Sequence, residues 1–530
     1  MAGSTRLGIR SEALIAMVLL VALVLTGCSG SGRSGDTTGR DPGQPMEVLR
    51  WATPGPVVTL DGSKAGDATS MNAIYLTSGQ LTRFNADREP VLDLAESITM
   101  AEDGLSATVK LRPGLKYSDG TPIVAEDLQY AVERNRKGTG AGFVATIKSV
   151  EVVNDLTAVV HLNGPDPDLK SWFAERALQL HPKKLIESDP NYWSHPVSGG
   201  PYMVAAGWTP GSDVFRAVEN PNYHEGPMMA KAIEMVSVPD AASRVLQVTS
   251  GEVHAAVDLP LSSKDSFPKE VKVSYAGVGG SNYLIANQTR GGPLADPKVR
   301  QAMSYAIDRK AISEKAFFGL QPASTSPMFD CGDLCERGLL PEGGARNLDR
   351  ARALMAEAGY ANGFEVELKV SSSRGGWQEA AVIIADNLAE IGIKAKVTPV
   401  DEGQHYSSIS KQNYELFFTG GGGHHQSTLS QMLAEGDFWV AATGWTPPAE
   451  AAEVLRRTAS ELDPAKRRAA YTAAQKIWME AMHVIPVTER VQLSASRVSD
   501  SLFVVQIKND QKVNIQTVAE AKQGARAGDL

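Results

Sequence analysis

The chain contains 530 residues, 42% hydrophobic and 21% charged, with a formal net charge of -9. This is the composition of a globular protein long enough to form more than one hydrophobic core. The 61 acidic residues outnumber the 52 basic ones, which argues against a nucleic-acid-binding protein, because phosphates demand a basic face.

The first 28 residues have the pattern of an export signal. Arg6 and Arg10 precede the uncharged apolar stretch 13–25, which is too short for a good permanent span of about 20 residues. The stretch ends in Leu25-Thr26-Gly27-Cys28, which resembles the bacterial lipobox. The resemblance implies that signal peptide 1–27 is removed and that Cys28 is lipidated, with palmitate as an expected acyl group. The alternative is an ordinary signal peptide with an incidental cysteine.

Residues 28–45 are expected to form the lipid anchor and a flexible tether. They are rich in Ser, Gly and Asp and contain almost nothing apolar, so they cannot form a core. No other stretch of the sequence is long and apolar enough to span a bilayer. We therefore expect a folded body that is held on the extracytoplasmic face of the cell membrane, facing the periplasmic space.

Two further cysteines, Cys331 and Cys335, lie close together in the sequence. Export places them in an oxidising compartment, which favours a local disulfide over a metal pair. Two thiolates would also fill only half of a tetrahedral metal site. We expect no metal ligands and no cofactor.

Strand-like and helix-like stretches alternate along the whole mature chain, which indicates an α/β fold. Residues 107–117 predict two short strands about a turn at Pro113-Gly114. Helices are predicted to begin after Asp296 and Asp463, each an N-cap acceptor followed by proline, and another covers residues 347–359.

The clearest unit is residues 377–400. Its apolar positions first follow helical spacing, and Gly392 lies where a left-handed cap would end that helix. The alternation of apolar and polar residues from Ile393 then indicates a half-buried strand. A strand at residues 365–370 precedes this unit, and a short strand is predicted at residues 484–487.

Several segments, taken in order, resemble the family 5 extracellular solute-binding proteins, which include dipeptide, oligopeptide and nickel receptors of ABC importers. The segments are Glu89-Pro90-Val91-Leu92-Asp93-Leu94-Ala95-Glu96-Ser97, Leu111-Arg112-Pro113-Gly114-Leu115-Lys116-Tyr117-Ser118-Asp119-Gly120-Thr121-Pro122, Ala125-Glu126-Asp127-Leu128, Ser198-Gly199-Gly200-Pro201-Tyr202, Glu219-Asn220-Pro221-Asn222-Tyr223 and Val299-Arg300-Gln301-Ala302. Most of these residues make turns or helix starts, so they identify the fold and not the ligand site. The family usually has a threonine cap where this chain has Val124.

The resemblance implies a two-lobed periplasmic-binding-protein-like fold of class II, with an extra subdomain inserted in lobe one. Lobe one is expected to combine residues 46–80, 195–280 and 490–530. The inserted subdomain covers residues 81–194, and lobe two covers residues 281–489. Two strands cross between the lobes, one at residues 282–287 and one reached through residues 484–487.

The resemblance also implies a monomeric receptor that captures a small-molecule or peptide ligand between its lobes and delivers it to an ABC permease and ATPase complex. Ligand contacts from both lobes would favour a closed state. Oligopeptides or dipeptides are the default cargo. A nickel or other metal chelate, a modified peptide and an oligosaccharide are alternatives with the same fold.

The segment 414–426 is the first place to seek the ligand site. Phe417 and Phe418 have the pattern of the end of a buried strand, and the glycine run that follows exposes backbone amides. Peptide receptors of the family usually have an aspartate in this loop for the α-amino group, and this chain has none. That absence argues against ordinary free-amine peptides.

The predicted ligand contacts combine aromatic walls, hydroxyls, open backbone and the crossing strand. They are Asn282, Ser372, Arg374, Trp377, Tyr406, Thr419, Gly420, Gly421, Gly422, His424 and His425. His424 and His425 are either polar loop residues or ligands of a metal chelate.

Enzyme motifs are absent from the sequence, and no catalytic residue is predicted. The glycine run lacks the Lys-Ser/Thr of a phosphate loop, and neither H-E-x-x-H nor G-x-S-x-G occurs. Ser408-Ile409-Ser410-Lys411 fits S-x-x-K, but S-D-N and K-T-G are missing. A surface hydrolase related to penicillin-binding enzymes is therefore a remote alternative.

Overall fold

The computed structural model describes residues 44–522 except residues 66, 86–88, 137–140, 329–333, 335, 373, 423–428, 431 and 506–512. The chain divides by its internal contacts into Met1–Asp41 and Pro42–Leu530, and every described residue belongs to the second unit. The export signal and Cys28 lie outside the described residues, as do Cys331 and Cys335.

Fourteen α-helices and eighteen strands are described. The helices are α1 (Ala68–Thr77), α2 (Ala125–Asn135), α3 (Leu169–Trp172), α4 (Lys183–Ser188), α5 (Ala241–Ser250), α6 (Pro297–Ala306), α7 (Arg309–Ala316), α8 (Leu348–Glu357), α9 (Trp377–Ala389), α10 (Glu402–Ser410), α11 (Phe438–Thr443), α12 (Ala449–Ser460), α13 (Pro464–Ala481) and α14 (Val518–Lys522). The strands are β1 (Leu49–Thr53), β2 (Thr82–Phe84), β3 (Pro90–Leu92), β4 (Ala95–Met100), β5 (Ser106–Leu111), β6 (Ile147–Asn154), β7 (Thr157–Leu162), β8 (Tyr202–Val204), β9 (Val214–Glu219), β10 (Ala232–Ser237), β11 (Ala255–Leu259), β12 (Lys272–Ala286), β13 (Phe364–Ser371), β14 (Ile393–Val400), β15 (Leu416–Gly422), β16 (Val484–Ser496), β17 (Val504–Val505) and β18 (Val513–Asn514).

A ten-stranded sheet runs through both lobes in the order β14-β13-β15-β12-β16-β11-β1-β10-β9-β8. Its two long central strands, β12 and β16, pair with each other in antiparallel fashion from Lys272↔Ser496 to Ile285↔Val484. β12 pairs with β15 through its second half, whereas β16 pairs with β11 near its end. The two strands therefore cross between the lobes, as the family resemblance implies. The short strand predicted at residues 484–487, through which the second crossing was to be reached, is the start of a 13-residue strand.

The β13-β14 end of the sheet is parallel and belongs to a large apolar core with α6, α8 and α9. A second core on that side packs α12 and α13 around Tyr471 and Trp478. At the other end, β1 pairs in parallel with β10 and β11, and a core forms around Trp51.

A separate four-stranded antiparallel sheet, in the order β4-β5-β7-β6, has its own core with α2. It lies within residues 81–194, the range predicted for the inserted subdomain. Strands β2 and β3 form a small hairpin-like pair beside it.

The strongest local predictions are confirmed. Asp296 and Asp463 cap α6 and α13 by accepting backbone N–H bonds, and each is followed by a first-turn proline. Asn347 caps α8 in the same way. Residues 377–400 form α9 and β14, and Gly392 between them has a φ of +88°, the left-handed conformation that glycine adopts without strain.

The prediction of two strands in residues 107–117 is wrong. Only β5 forms, and the chain after Pro113-Gly114 makes a single bridge between Lys116 and Pro122. The chain instead turns again at Gly120, whose φ is +87°, before α2 begins.

The start of α2 is stabilised by another residue, because Val124 stands where the family usually has a threonine cap. Asp127, three residues into α2, accepts a hydrogen bond from the Val124 N–H at 3.0 Å and another from the Tyr117 hydroxyl at 2.9 Å. The carboxylate of Asp127 thus satisfies a backbone donor at a helix start that lacks a side-chain cap of its own.

Within the described part of the chain, no helix has both the length and the hydropathy needed to cross a membrane.

Candidate functional site

Several of the predicted ligand residues lie where β15 meets β12 at the centre of the sheet. Gly420 pairs with Asn282 on β12, and Asn282 pairs in turn with Thr488 on β16. Three strands therefore bring a glycine, an amide and a hydroxyl side by side at the centre of the sheet.

Gly420, Gly421 and Gly422 belong to β15, so the structure corrects the prediction that they form an open loop. They pair with residues 280–282 of β12. On its other side, β15 pairs with β13 only as far as Phe418↔Val370 among the described residues. From Thr419 onward, that edge of β15 is therefore a candidate surface for backbone hydrogen bonds to a ligand.

Gly420 faces a wall built from three side chains. A Cβ added there would lie 3.0 Å from Asn282 Oδ1, 3.1 Å from Trp377 Cζ2 and 3.2 Å from Arg490 Cδ. Trp377 is the first residue of α9. Gly376 before it has a left-handed backbone conformation, which sets the direction of the Trp377 side chain. The sequence places glycine where a larger residue would push these three groups apart.

Two basic groups border this wall. The Arg374 guanidinium carbon lies 4.8 Å from the centre of the Trp377 ring, within cation–π distance. Arg490, in β16, approaches the wall from the crossing strand. A ligand lying against Trp377 would therefore meet positive charge from both lobe two and the crossing.

The opposite face of the same strand carries a second tryptophan. A Cβ on Gly421 would lie 2.7 Å from Trp439 Cζ2, because neighbouring strand residues point to opposite faces. Trp439 is 2% exposed, and its indole Nε1 has no hydrogen-bond partner in the described part of the protein. It contacts Tyr283 edge to face at 5.9 Å.

Asn282 lies at the centre of a buried polar group. Its Nδ2 donates to Gln321 Oε1 at 2.6 Å and to Thr488 Oγ1 at 2.9 Å. Its Oδ1 is buried without a hydrogen-bond partner among the described residues. Because an unpaired buried acceptor costs about 1–3 kcal/mol, this oxygen is well placed to accept from a ligand or water donor.

His405 and Thr419 add a buried contact beside the open edge. The imidazole Nε2 lies 3.2 Å from Thr419 Oγ1, and the ring centre lies 5.8 Å from that of Trp377. Burial raises the pKa of the nearby Tyr283 hydroxyl to about 12, and the Arg490 charge acts in the opposite direction. The phenol is therefore neutral at physiological pH.

The other predicted contacts are less central or lie outside the described residues. Ser372 is exposed at the end of β13, and its hydroxyl donates to the Val400 carbonyl at 3.0 Å. Tyr406 lies in α10, but its side chain is outside the described residues, as are His424 and His425. Their predicted roles as ligand contacts stay predictions.

Sequence reasoning missed Arg490, Trp439, His405 and Gln321. The short strand predicted at residues 484–487 stops before Arg490, and the chain from residue 490 was assigned to lobe one without a site role. Extending that strand by a few residues would have brought Arg490 next to the glycine run. For the other three, no sequence signal distinguishes them from core residues.

Comparison with known proteins agrees with this architecture. Residues 89–436 match the family model described as bacterial extracellular solute-binding proteins, family 5 Middle. The chain is 27% identical over 468 residues to the glutathione-binding protein GsiB of Pectobacterium atrosepticum, covering 84% of this chain and 90% of that protein.

Two solved structures are similar over nearly the whole folded region. The binding protein AgaA from A. tumefaciens R10, in complex with agropinic acid, has a TM-score of 0.71 and 26% identity, covering 85% of this chain and 93% of AgaA. The ABC transporter substrate-binding protein CtaP from Listeria monocytogenes has a TM-score of 0.77 and 18% identity, covering 90% of this chain and all of CtaP.

Proposed function

The chain belongs to the family 5 bacterial extracellular solute-binding proteins, and on this premise we propose that it captures small acidic peptides between its lobes for an ABC importer. Glutathione, an acidic tripeptide, is the first ligand to test. The protein is the extracytoplasmic substrate-binding component of such an importer.

The observation that carries the acidic preference is the pair of arginines around Trp377. Arg374 stacks on the indole at 4.8 Å, and Arg490 approaches the same wall next to Gly420. A carboxylate that reaches either guanidinium makes a charge-assisted bond worth about 1.5–3 kcal/mol. The missing loop aspartate removes the usual acidic partner for a free amine, so recognition through carboxylates is favoured.

Two relatives support the same ligand class. GsiB is a glutathione-binding protein, and AgaA has been solved with agropinic acid, which is also an acid. At 26–27% identity, these matches support the acidic ligand class that we propose. The fold alone would accommodate many other solutes.

Capture is expected to work by a population shift in which the ligand contacts groups of both lobes and favours the closed state. We assign residues 46–80, 195–280 and 490–530 to lobe one, residues 81–194 to the inserted subdomain and residues 281–489 to lobe two. The separate hydrophobic cores of these parts support that division. The chain would act as a monomer attached to the membrane through lipidated Cys28.

Binding without catalysis is part of the proposal. Ser408, the serine of the S-x-x-K match, is 7% exposed within α10, and its carbonyl accepts from Asn413 N–H at 2.8 Å. A nucleophile would need access to a substrate carbonyl and a base within hydrogen-bond reach. The surroundings of Ser408 favour a structural role.

Isothermal titration of the purified protein tests the proposal. The ligands are glutathione, glutathione with both carboxylates esterified, a neutral-side-chain dipeptide, a nickel–histidine complex and a chito-oligosaccharide. We expect glutathione to bind and its diester to bind at least tenfold more weakly, because esterification removes the negative charges that the arginines attract. Preferential binding of the dipeptide, the sugar or the diester would overturn the acidic preference.

The titration with the nickel–histidine complex has its own control. If the nickel complex is the tightest ligand and a His424→Ala/His425→Ala double variant abolishes its binding, the receptor belongs to the metal-chelate class and our proposal is wrong. Retained glutathione binding in the double variant is the expected result.

A further inference from the structure

A buried polar cluster lies away from the crossing strands, at the junction of the small β2–β3 pair, the loop after β9 and helix α14. Arg83 is in β2, and Asp93 directly follows β3. Tyr223, His224 and Glu225 belong to the loop after β9. Segments that are distant in the sequence thus contribute charged side chains to one place.

Three of these residues bring potential metal-ligating atoms together. His224 Nε2 lies 3.5 Å from Asp93 Oδ1 and 3.9 Å from Glu225 Oε1. One ligand atom from each residue lies within 4.8 Å of the others. A metal with bonds of about 2.0–2.2 Å would hold its nitrogen and oxygen ligands roughly 3–3.5 Å apart, so only a small contraction is needed.

The second oxygen of Glu225 is held by other residues, which fixes the carboxylate. Arg83 Nη1 donates to Oε2 at 2.7 Å, and the Tyr223 hydroxyl donates to the same oxygen at 3.0 Å. The remaining oxygen, Oε1, is therefore directed toward His224. Outer hydrogen bonds of this kind orient the ligands of protein metal sites.

Gln80 supplies an independent observation. It lines a cavity of about 80 Å³ together with Arg83, Asp93, Tyr223 and Glu225. Gln80 is only 2% exposed, yet its side-chain Nε2 has no hydrogen-bond partner within the described residues. Because nearly all buried amides have partners and an amide nitrogen only donates, the cavity is expected to contain a hydrogen-bond acceptor, such as a water molecule, that Gln80 contacts.

The charge balance favours a cation near His224, with a water in the cavity that Asp93 and Glu225 also line as the acceptor for Gln80. Asp93, Glu225 and Glu520 provide three carboxylates, and Glu520 Oε1 lies 3.7 Å from Arg83 Nη2. The opposing guanidinium groups are those of Arg83 and of Arg112, whose Nε donates to the Asp93 carbonyl at 2.7 Å. Three carboxylates against two guanidinium groups leave one excess negative charge in the cluster.

We propose that Asp93, His224 and Glu225 bind a divalent transition-metal ion that pins the start of the inserted subdomain to lobe one. An imidazole together with carboxylates suits ions such as Zn²⁺, whereas Ca²⁺ and Mg²⁺ prefer oxygen alone. The role is structural, because all three ligands come from protein segments that the ion would tie together.

Zinc titration of the tag-free protein, stripped with a chelator, tests the site. We expect one Zn²⁺ per chain and a rise in melting temperature, since binding only the folded state stabilises it. His224→Gln should weaken zinc binding at least tenfold, and its unchanged melting temperature without metal would show that it folds. His195→Gln is the matched control, because His195 also pairs with a carboxylate, Asp189 at 2.8 Å, on the surface.

The position of the bound ion shows whether it is held by His224 or by His424 and His425. A crystal grown with zinc should give an anomalous peak at the zinc edge about 2.0–2.1 Å from His224 Nε2. Titration of the His424→Ala/His425→Ala double variant should leave the stoichiometry unchanged. The proposal is overturned if His224→Gln binds zinc like the unmodified protein, if the double variant loses the ion, or if no zinc binds at all.

Discussion

Arg467, near the start of α13, contacts the carboxylate of Asp168, which directly precedes α3. The two side chains are 10% and 7% exposed, so the ion pair is almost completely buried. Arg467 Nε also donates to the Thr458 carbonyl at 2.9 Å, and its guanidinium lies 5.7 Å from the Tyr471 ring. Because α3 packs in the core of the four-stranded sheet and α13 in a core of lobe two, this pair connects two bodies that open and close relative to each other in our proposal.

We predict that Arg467→Met weakens ligand binding at least tenfold while leaving the protein folded. Removing the guanidinium leaves the buried Asp168 carboxylate without this counter-charge, a cost of up to about 3–5 kcal/mol that the open state avoids by hydrating the carboxylate. Titration calorimetry measures the affinity, and small-angle scattering should show a larger radius of gyration with ligand present.

Two further variants sharpen the test of this pair. Arg456→Met is the control, because Arg456 pairs with Glu453 on an exposed face of α12 and should have no effect on affinity. Adding Asp168→Asn to Arg467→Met should recover part of the lost affinity. If Arg467→Met binds ligand normally and scatters like the unmodified protein, the pair has no role in closure.

Gly420→Ala should reduce ligand affinity strongly without unfolding the protein. Its Cβ would lie 3.0 Å from Asn282 Oδ1 and 3.1 Å from Trp377 Cζ2, so the wall of the proposed site has to shift. Gly277→Ala is a matched control on the adjacent crossing strand, where an added Cβ meets nothing within 4 Å. Equal affinities for the two variants, measured by calorimetry, would contradict the assignment of the site to Gly420.

The sequence identified the parts of the fold that depend on local chemistry. Asp296 and Asp463 mark helix starts, because each accepts a backbone hydrogen bond and is followed by proline. Gly392 marks a left-handed turn. These signals need no knowledge of the rest of the chain. The order of segments then indicated the family, which the family model confirms.

The site was only partly predictable because it depends on register between distant strands. Gly420 meets Asn282 and Arg490 only after β12, β15 and β16 pair, and the pairing of β16 extends well beyond the predicted strand. Trp439 has the sequence features of an ordinary core residue. Its position beside Gly421 depends on the tertiary structure, and no local sequence pattern predicts it.

Buried histidines should make the protein sensitive to acid. His483 is fully buried and stacked on Trp445 at 4.3 Å, and burial together with the nearby Arg300 charge lowers its pKa to about 3. The unfolded chain takes up this proton near pH 6.5, so the stabilising contribution is complete above that pH and is lost as the pH falls toward about 3. The loss is about 1.4 kcal/mol per pH unit for one histidine.

We therefore expect His483→Phe, which keeps an aromatic ring against Trp445, to have a shallower fall in unfolding free energy between about pH 6.5 and 3. Urea titrations at several pH values measure this slope. His161→Phe, at an exposed residue beside Glu151, should keep the slope of the unmodified protein. The same slope in both variants would show that folding does not lower the pKa of His483.

Cys28→Ala should release the protein from membranes and leave its ligand affinity unchanged. The lipobox predicts that the acyl chains of Cys28 provide the attachment, and the composition of residues 29–45 suits a tether rather than a second anchor. Fractionation of cells into membrane and soluble material measures the change. Cys331→Ala is the control and should stay with the membrane; membrane retention of Cys28→Ala would refute the lipid anchor.

Arg374→Gln should weaken glutathione binding about tenfold to a hundredfold, the effect of losing one charge-assisted bond of about 1.5–3 kcal/mol. Arg374→Lys should recover only part of the loss, because an ammonium retains the charge but lacks the planar face that stacks on Trp377. Arg216→Gln, at an exposed arginine beside Glu234, should bind like the unmodified protein.

The salt dependence of this series separates a direct contact from a general field effect. A contact beside the buried Trp377 is screened less than exposed charges, so the difference between the unmodified protein and Arg374→Gln should persist at 0.5 M salt. If that difference disappears with salt, Arg374 acts only as long-range charge. If Arg374→Gln binds glutathione as tightly as Arg216→Gln, the carboxylates of the ligand do not reach this arginine, and the acidic preference has to come from another part of the cleft.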